Sequence, residues 1–272
     1  MMFNSIASFI YRVNVKVKKL IYSLLYFKDL PKITLWINWN EIDNYFGQLS
    51  ADPYFKNFRK NNLLIETMDY QKLDAKDYSK SLKAAGILEP KIGSPIKPLF
   101  LRNSLNSGHQ YRHLINWSQH TNSNIESVQR IVEFGGGYGC MRWLINEHKF
   151  FGQYEIIDNN GMQSLQKKYL KESIKNENFE KTKWNLKLNG LYPALSTDDL
   201  FIAMWSVSET PTEMLIETLD ILEKSSCRLL LAFQHDFNGR NNVELFDQYF
   251  KGSIRKKIIY SSNDLRSTYI FR

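Results

Sequence analysis

Cysteine is nearly absent: Cys140 and Cys227 are the two in 272 residues. They are too few for a disulfide framework, and neither belongs to a metal-spaced cluster, so a reducing compartment is expected. No apolar run reaches the length needed to span a bilayer. The chain also lacks internal repeats and low-complexity tracts.

Basic charge away from one end is scarce as well. The formal net charge is +8, but residues 1–32 carry +5 of it through Arg12, Lys16, Lys18, Lys19, Lys28 and Lys32 against Asp29 alone. The remaining 240 residues hold only +3, so no general nucleic-acid face is expected. The basic segment is also apolar, with Phe3, Ile6, Phe9, Ile10 and Tyr11, then Leu20, Ile21, Leu24, Leu25, Tyr26 and Phe27. Its charges follow the first apolar run, whereas a signal peptide puts them before it. Residues 3–27 therefore read as a basic amphipathic helix, which either docks on its own domain or lies peripherally on an anionic membrane face.

Residues 1–127 show no strand–helix alternation and read as mainly helical, with candidate helices near 3–27, 40–49, 68–85 and 108–121. Gly86, Pro90, Gly93, Pro95 and Pro98 mark 86–98 as a linker, dividing a helical region (1–99) from a second domain (100–272). From 128 onward the pattern alternates. Strands are expected at 129–134, 153–158, 181–188, 199–205 and 227–233, and helices at 138–149, 160–175, 211–223 and 241–251. Pro211 is placed at the first helical position. Two closing strands near 254–260 and 267–271 are too close for a crossover and read as a hairpin. Repeated β-α units imply an α/β fold with a mostly parallel sheet covered on both faces.

The densest signal is Glu133-Phe134-Gly135-Gly136-Gly137-Tyr138-Gly139, a strand end, a tight turn and a helix start. Glycine suits a turn with unusual dihedrals and allows a ligand to approach bare backbone. A phosphate-cradling P-loop needs Lys and Ser/Thr after the last glycine, and Cys140 and Met141 stand there instead. A dinucleotide fingerprint needs glycine or alanine where Cys140 stands. The spacing acid-x-G-x-G-x-G fits without a gap, and it resembles motif I of the class I S-adenosylmethionine-dependent methyltransferases. About twenty residues on, Tyr154–Asp158 is an apolar strand ending in an acid, where a carboxylate that accepts from ribose hydroxyls is expected.

The methyltransferase resemblance implies a Rossmann-like seven-stranded sheet with an antiparallel last strand. It also implies S-adenosylmethionine at Glu133, Gly135, Gly136, Gly137, Tyr138, Gly139, Asp158, Trp205 and Ser206; no metal site is expected. A narrower likeness, over about residues 100–272, is to sugar O-methyltransferases from bacterial surface-polysaccharide gene neighbourhoods. Its carriers are the glycine turn, Ile156-Ile157-Asp158 with Gln166 and Tyr169-Leu170, Trp205-Ser206-Val207-Ser208-Glu209, and the region of Tyr111, Arg112 and His113. After Asp158 the chain has Asn159-Asn160 where the family is expected to have Leu-Pro. The implied reaction is methyl transfer to a sugar hydroxyl of a small-molecule or lipid-linked glycan precursor, in the cytoplasm or at the inner membrane face. Another small hydroxyl or amine acceptor, or a non-catalytic cofactor-binding subunit, remains open.

Reactants lie beyond the carboxyl ends of strands in an open α/β sheet. A hydroxyl acceptor calls for a positioned base. His235, with Asp236 beside it, is the first candidate and Glu209 the second. Tyr111 and His113 are expected to roof the substrate pocket. His109 and His113, at i, i+4 spacing, would need a further ligand such as His120 to hold a metal.

Overall fold

The computed structural model describes residues 80–90, 92, 102, 103, 105–186, 194–237, 239–258 and 267–272. The candidate helices at 3–27, 40–49 and most of 68–85 lie outside these residues, as does most of 86–98. Residues 80–84 are helical.

The apolar runs of the second half form strands because each can be buried on both faces. β1 (Arg130–Phe134) is buried at every position. It lies between β2 (Gln153–Ile157) and β4 (Asp199–Met204), parallel to both. The seven-stranded sheet has the order β3-β2-β1-β4-β5-β9-β8, where β3 is Thr182–Asn185 and β5 is Arg228–Gln234. The closing strands β8 (Ile254–Ile258) and β9 (Ser267–Phe271) form an antiparallel pair, and β9 inserts antiparallel beside β5. This is the Rossmann-like seven-stranded sheet with an antiparallel last strand that the resemblance implied.

Alternation along the strands divides the core in two. Ile131 of β1 and Leu230 and Ala232 of β5 face one layer, with α1 (Leu105–Thr121), α2 (Cys140–Glu147) and α3 (Asn160–Ser173). Val132, Phe134, Leu229, Leu231 and Phe233 face the other, against α5 (Thr212–Ser225) and α6 (Asn242–Tyr249). Each fully buried Leu, Ile or Phe contributes about 1.5–3 kcal/mol, so both layers are needed to hold the sheet.

Several local expectations change. Pro211 is the N-cap of α5, with ψ 148°, and Thr212 is its first helical residue. Two small elements escaped notice: α4 (Asn176–Glu180) and a two-stranded ribbon of β6 (Asp236–Phe237) with β7 (Arg240–Asn241). Both are shorter than any hydrophobic period can reveal. Part of the expected linker is docked: Ile87 is buried in the first core layer. There Asn103 accepts from Glu89 N–H and donates to the Ile87 carbonyl.

Candidate functional site

The helix after β1 packs on one face of the sheet, and the helix after β4 packs on the other. Their connecting loops diverge between these adjacent strands, opening the crevice that receives ligands in such sheets. One wall is the glycine turn, the other the loop after Met204. A cleft of about 410 Å³ lined by His120, Tyr249, Lys251 and Arg272 lies beside the carboxyl end of α6 and the last residues of β9. It shares no residue with the switch point and is not the site.

Gly135, Gly137 and Gly139 all have positive φ, at 75°, 54° and 100°. They differ in what surrounds them. A Cβ on Gly135 would lie 2.3 Å from Ser206 Cβ, and one on Gly139 would lie 3.1 Å from Leu170. A Cβ on Gly137 would meet nothing within 4 Å. Gly135 and Gly139 are therefore needed for packing, whereas Gly137 faces open space, where bare backbone can meet a ligand. Tyr138 turns away from that space: Asn106 of α1 donates to its hydroxyl (2.8 Å), and its ring packs edge-on against Tyr169.

Glu133 lies beneath the turn. Tyr154 Oη donates to its Oε2 (2.7 Å), and the buried Arg142 guanidinium stands over the Tyr154 ring. Burial pushes Glu133 up to about 7, against the opposing pull of Tyr154 and Arg142. Asp158 likewise rises to about 7, mainly by burial, with the Glu133 charge adding to the effect. Backbone N–H groups of Asn159 and Gly136 and the Gln166 side chain bond its carboxylate and oppose the rise.

The helix-capping role is filled by Asn159, whose side chain accepts from Met162 N–H. That leaves Asp158 at the lip of the turn and gives the Asp-Asn-Asn departure a structural reason. Sequence reasoning assigned no role to Gln166, yet its Nε2 reaches both Asp158 Oδ2 (2.7 Å) and the Gly137 carbonyl (3.0 Å). Gln163 donates to the carbonyls of Asp158 and Asn185. The available signal was two glutamines on the otherwise apolar face of α3.

The opposite wall starts at Trp205, whose φ of 66° is an outlier for a bulky residue. Such strain collects at functional sites. Its indole donates to Ser267 Oγ (3.2 Å). Ser206 donates through its hydroxyl to the Phe134 carbonyl, tying the β4 loop to the end of β1. Ser206–Glu209 forms a single 3-10 turn. Arg240 straps it through the carbonyls of Ser208 (2.6 Å) and Thr210 (3.1 Å).

The other sequence candidates separate. Glu209 accepts from Gln234 Nε2 (2.7 Å), immediately before His235, whose Nε2 is hydrogen-bonded to Thr268 Oγ1 (2.8 Å). Asp236 is exposed and pairs with Asn241 in the ribbon. His113 is buried beside Trp205 and hydrogen-bonded to the Tyr269 hydroxyl. Tyr111 instead stacks on His148, at the end of α2 opposite the glycine turn. His120 packs on Phe271, and no group of three metal-ligating side chains occurs among the described residues. None of the described helices is long and apolar enough to cross a membrane.

S-adenosylmethionine can be tested against this geometry. The unobstructed Gly137 backbone, with a carboxylate tied to it through Gln166, suits a ligand that brings a hydroxylated ribose over the turn. No protein-family profile and no curated protein matches the chain. Solved structures with similar folds include the precorrin-6y C5,15-methyltransferase from Geobacter metallireducens, with TM-score 0.44 and 10% identity, covering 68% of this chain and 95% of that one. The N-terminal domain of human METTL16 in complex with SAH has TM-score 0.44 and 12% identity, covering 75% and 82%. The methyltransferase domain of bacterial CtHen1 has TM-score 0.43 and 13% identity, covering 60% and 98%.

Proposed function

We propose that the chain is an S-adenosylmethionine-dependent O-methyltransferase acting on a sugar hydroxyl of a small-molecule or lipid-linked glycan precursor. The observation that carries the cofactor half is the cradle in which Gly137 faces open space while Gln166 joins its carbonyl to Asp158. Asp158 is the residue that would accept from the ribose hydroxyls, and the Gly135–Gly139 backbone would pass beneath the ligand. When bound, S-adenosylmethionine supplies a methyl group for in-line displacement, so alignment contributes much of the rate. The sugar half is supported by the sequence likeness around Trp205–Glu209 and Tyr111–His113.

Of His235 and Glu209, which follow the carboxyl ends of β5 and β4, one takes the acceptor proton. His235 is the first choice, because it directly follows β5, with Asp236 beside it. The amphipathic segment 3–27 would hold the enzyme peripherally at the inner, cytoplasmic membrane face, near a lipid-carried substrate.

Equilibrium binding of S-adenosylmethionine tests the cofactor half. The wild type should bind it, and Gly137→Arg and Asp158→Ala should not. Absence of wild-type binding removes the proposal. A methyl-transfer assay against nucleotide sugars and lipid-linked glycan fragments tests the acceptor. In that assay, full activity of both His235→Ala and Glu209→Ala would refute the base assignment while leaving the cofactor half standing. Flotation with anionic vesicles at low salt tests the terminus, and no binding there ends the membrane idea.

A further inference from the structure

Four aromatic side chains meet on the β4 side of the crevice, and none of them is used in the cofactor cradle. His109 stacks on Trp205, with centroids 5.7 Å apart and planes 11° apart. His113 meets the same indole edge-on at 5.4 Å and His109 at 4.4 Å. The Tyr269 hydroxyl is bonded to His113 Nδ1, and its ring packs edge-on at 5.5 Å. The two imidazoles lie closer to each other than either lies to the indole, so they sit to one side of it. Trp205 as a whole is partly exposed, while His109 and His113 are 1% and 0% exposed.

Three features point to a ligand here. Trp205 holds an outlying left-handed φ one residue from Ser206, which lies against Gly135 of the cofactor turn. His113 Nε2 is fully buried with no hydrogen-bond partner. Both imidazoles are held uncharged, chiefly by burial, with the Arg112 charge acting in the same direction. An indole face attracts cations through its quadrupole. Backing it with imidazolium would cancel that attraction, whereas neutral rings do not.

We infer that Trp205, backed by His109 and by the His113–Tyr269 pair, is the recognition face for the positively charged sulfonium of the methyl donor, so that the site distinguishes the charged donor from its neutral product. The inference rests on the cofactor reading above and adds charge selectivity to it. A cation–π contact of this kind is enough for a several-fold difference in affinity.

Calorimetric titration with S-adenosylmethionine and with S-adenosylhomocysteine tests it without an acceptor. The wild type should bind the sulfonium compound at least fivefold more tightly. Trp205→Leu should weaken S-adenosylmethionine about fivefold or more and leave S-adenosylhomocysteine within twofold, while Trp205→Phe keeps most of the preference. Should the leucine variant misfold by circular dichroism, Tyr269→Phe decides. It keeps the ring but releases His113, and the preference should fall two- to threefold. Equal binding of the two compounds by the wild type overturns the inference. An unchanged ratio in a folded Trp205→Leu or Tyr269→Phe does the same. Absence of all binding by the wild type refutes the cofactor reading itself.

Discussion

Gln166 Nε2 donates to Asp158 Oδ2 and to the carbonyl of Gly137, so one amide locks the acid after β2 to the turn after β1. Charge-assisted hydrogen bonds of this kind contribute on the order of 1.5–3 kcal/mol. Gln166→Leu should therefore weaken S-adenosylmethionine binding about tenfold or more and lower the melting temperature. Calorimetry on the two proteins checks this, and affinities within twofold would show that the clamp does not shape the site.

The glycine turn predicts two different failures. Gly135→Ala combines a positive φ with a Cβ that would overlap Ser206, so the fold should lose about 1–3 kcal/mol. Gly137→Ala has room for its Cβ and pays only the dihedral strain, about 1 kcal/mol. That variant should stay folded yet bind S-adenosylmethionine poorly. Urea denaturation beside ligand titration separates the two, and equal stability loss in both would contradict the assignment.

Ionisation of the buried acids and histidines opposes in sign. Glu133 rises from 4.5 to about 7 in the folded chain, so the native state holds a proton the unfolded state has lost. Its contribution is present at low pH and disappears as pH climbs to about 7. His109 falls from 6.5 to about 3, so its effect runs the other way and stability rises from about pH 3 to 6.5. The wild-type profile sums both, and single variants resolve them. Glu133→Gln, which mimics the protonated acid, should gain on the order of 5 °C over wild type between pH 4.5 and 7.5. His109→Gln should lose ground to wild type between pH 4 and 6.5. Parallel melting curves for Glu133→Gln and wild type would rule out a raised acid.

Arg130 at the amino end of β1 pairs with two buried carboxylates, Asp199 (2.6 Å) and Glu155 (3.4 Å). Arg130→Leu leaves both without their cation and should cost about 3–5 kcal/mol in urea denaturation. Cofactor affinity of the protein that remains folded should stay within twofold, because the triad lies away from the glycine turn. A large affinity change with little stability change would reverse that reading.

Short-range pattern was enough for part of this protein. Ile131–Phe134 ends in an acid and a glycine run, and no neighbouring element was needed to read a strand, a turn and a helix start. The same holds for Tyr154–Asp158, and for the closing hairpin, whose short connection forbids a crossover. Periodicity and glycine chemistry are local, and they largely determined the alternating strands and helices, the closing antiparallel pair and the glycine turn. Tertiary structure decided which side chains converge. Gln166 gained its role only because α3 lies across the ends of β1 and β2. Tyr111 and His113, two residues apart on α1, reach different partners, His148 and Tyr269, because a helix turns about 100° per residue. Trp205 meets His109 nearly a hundred positions away because α1 packs across β5 and β9, beside the end of β4. Residue spacing along a chain encodes the first kind of information, while the second depends on packing between elements that no local period records.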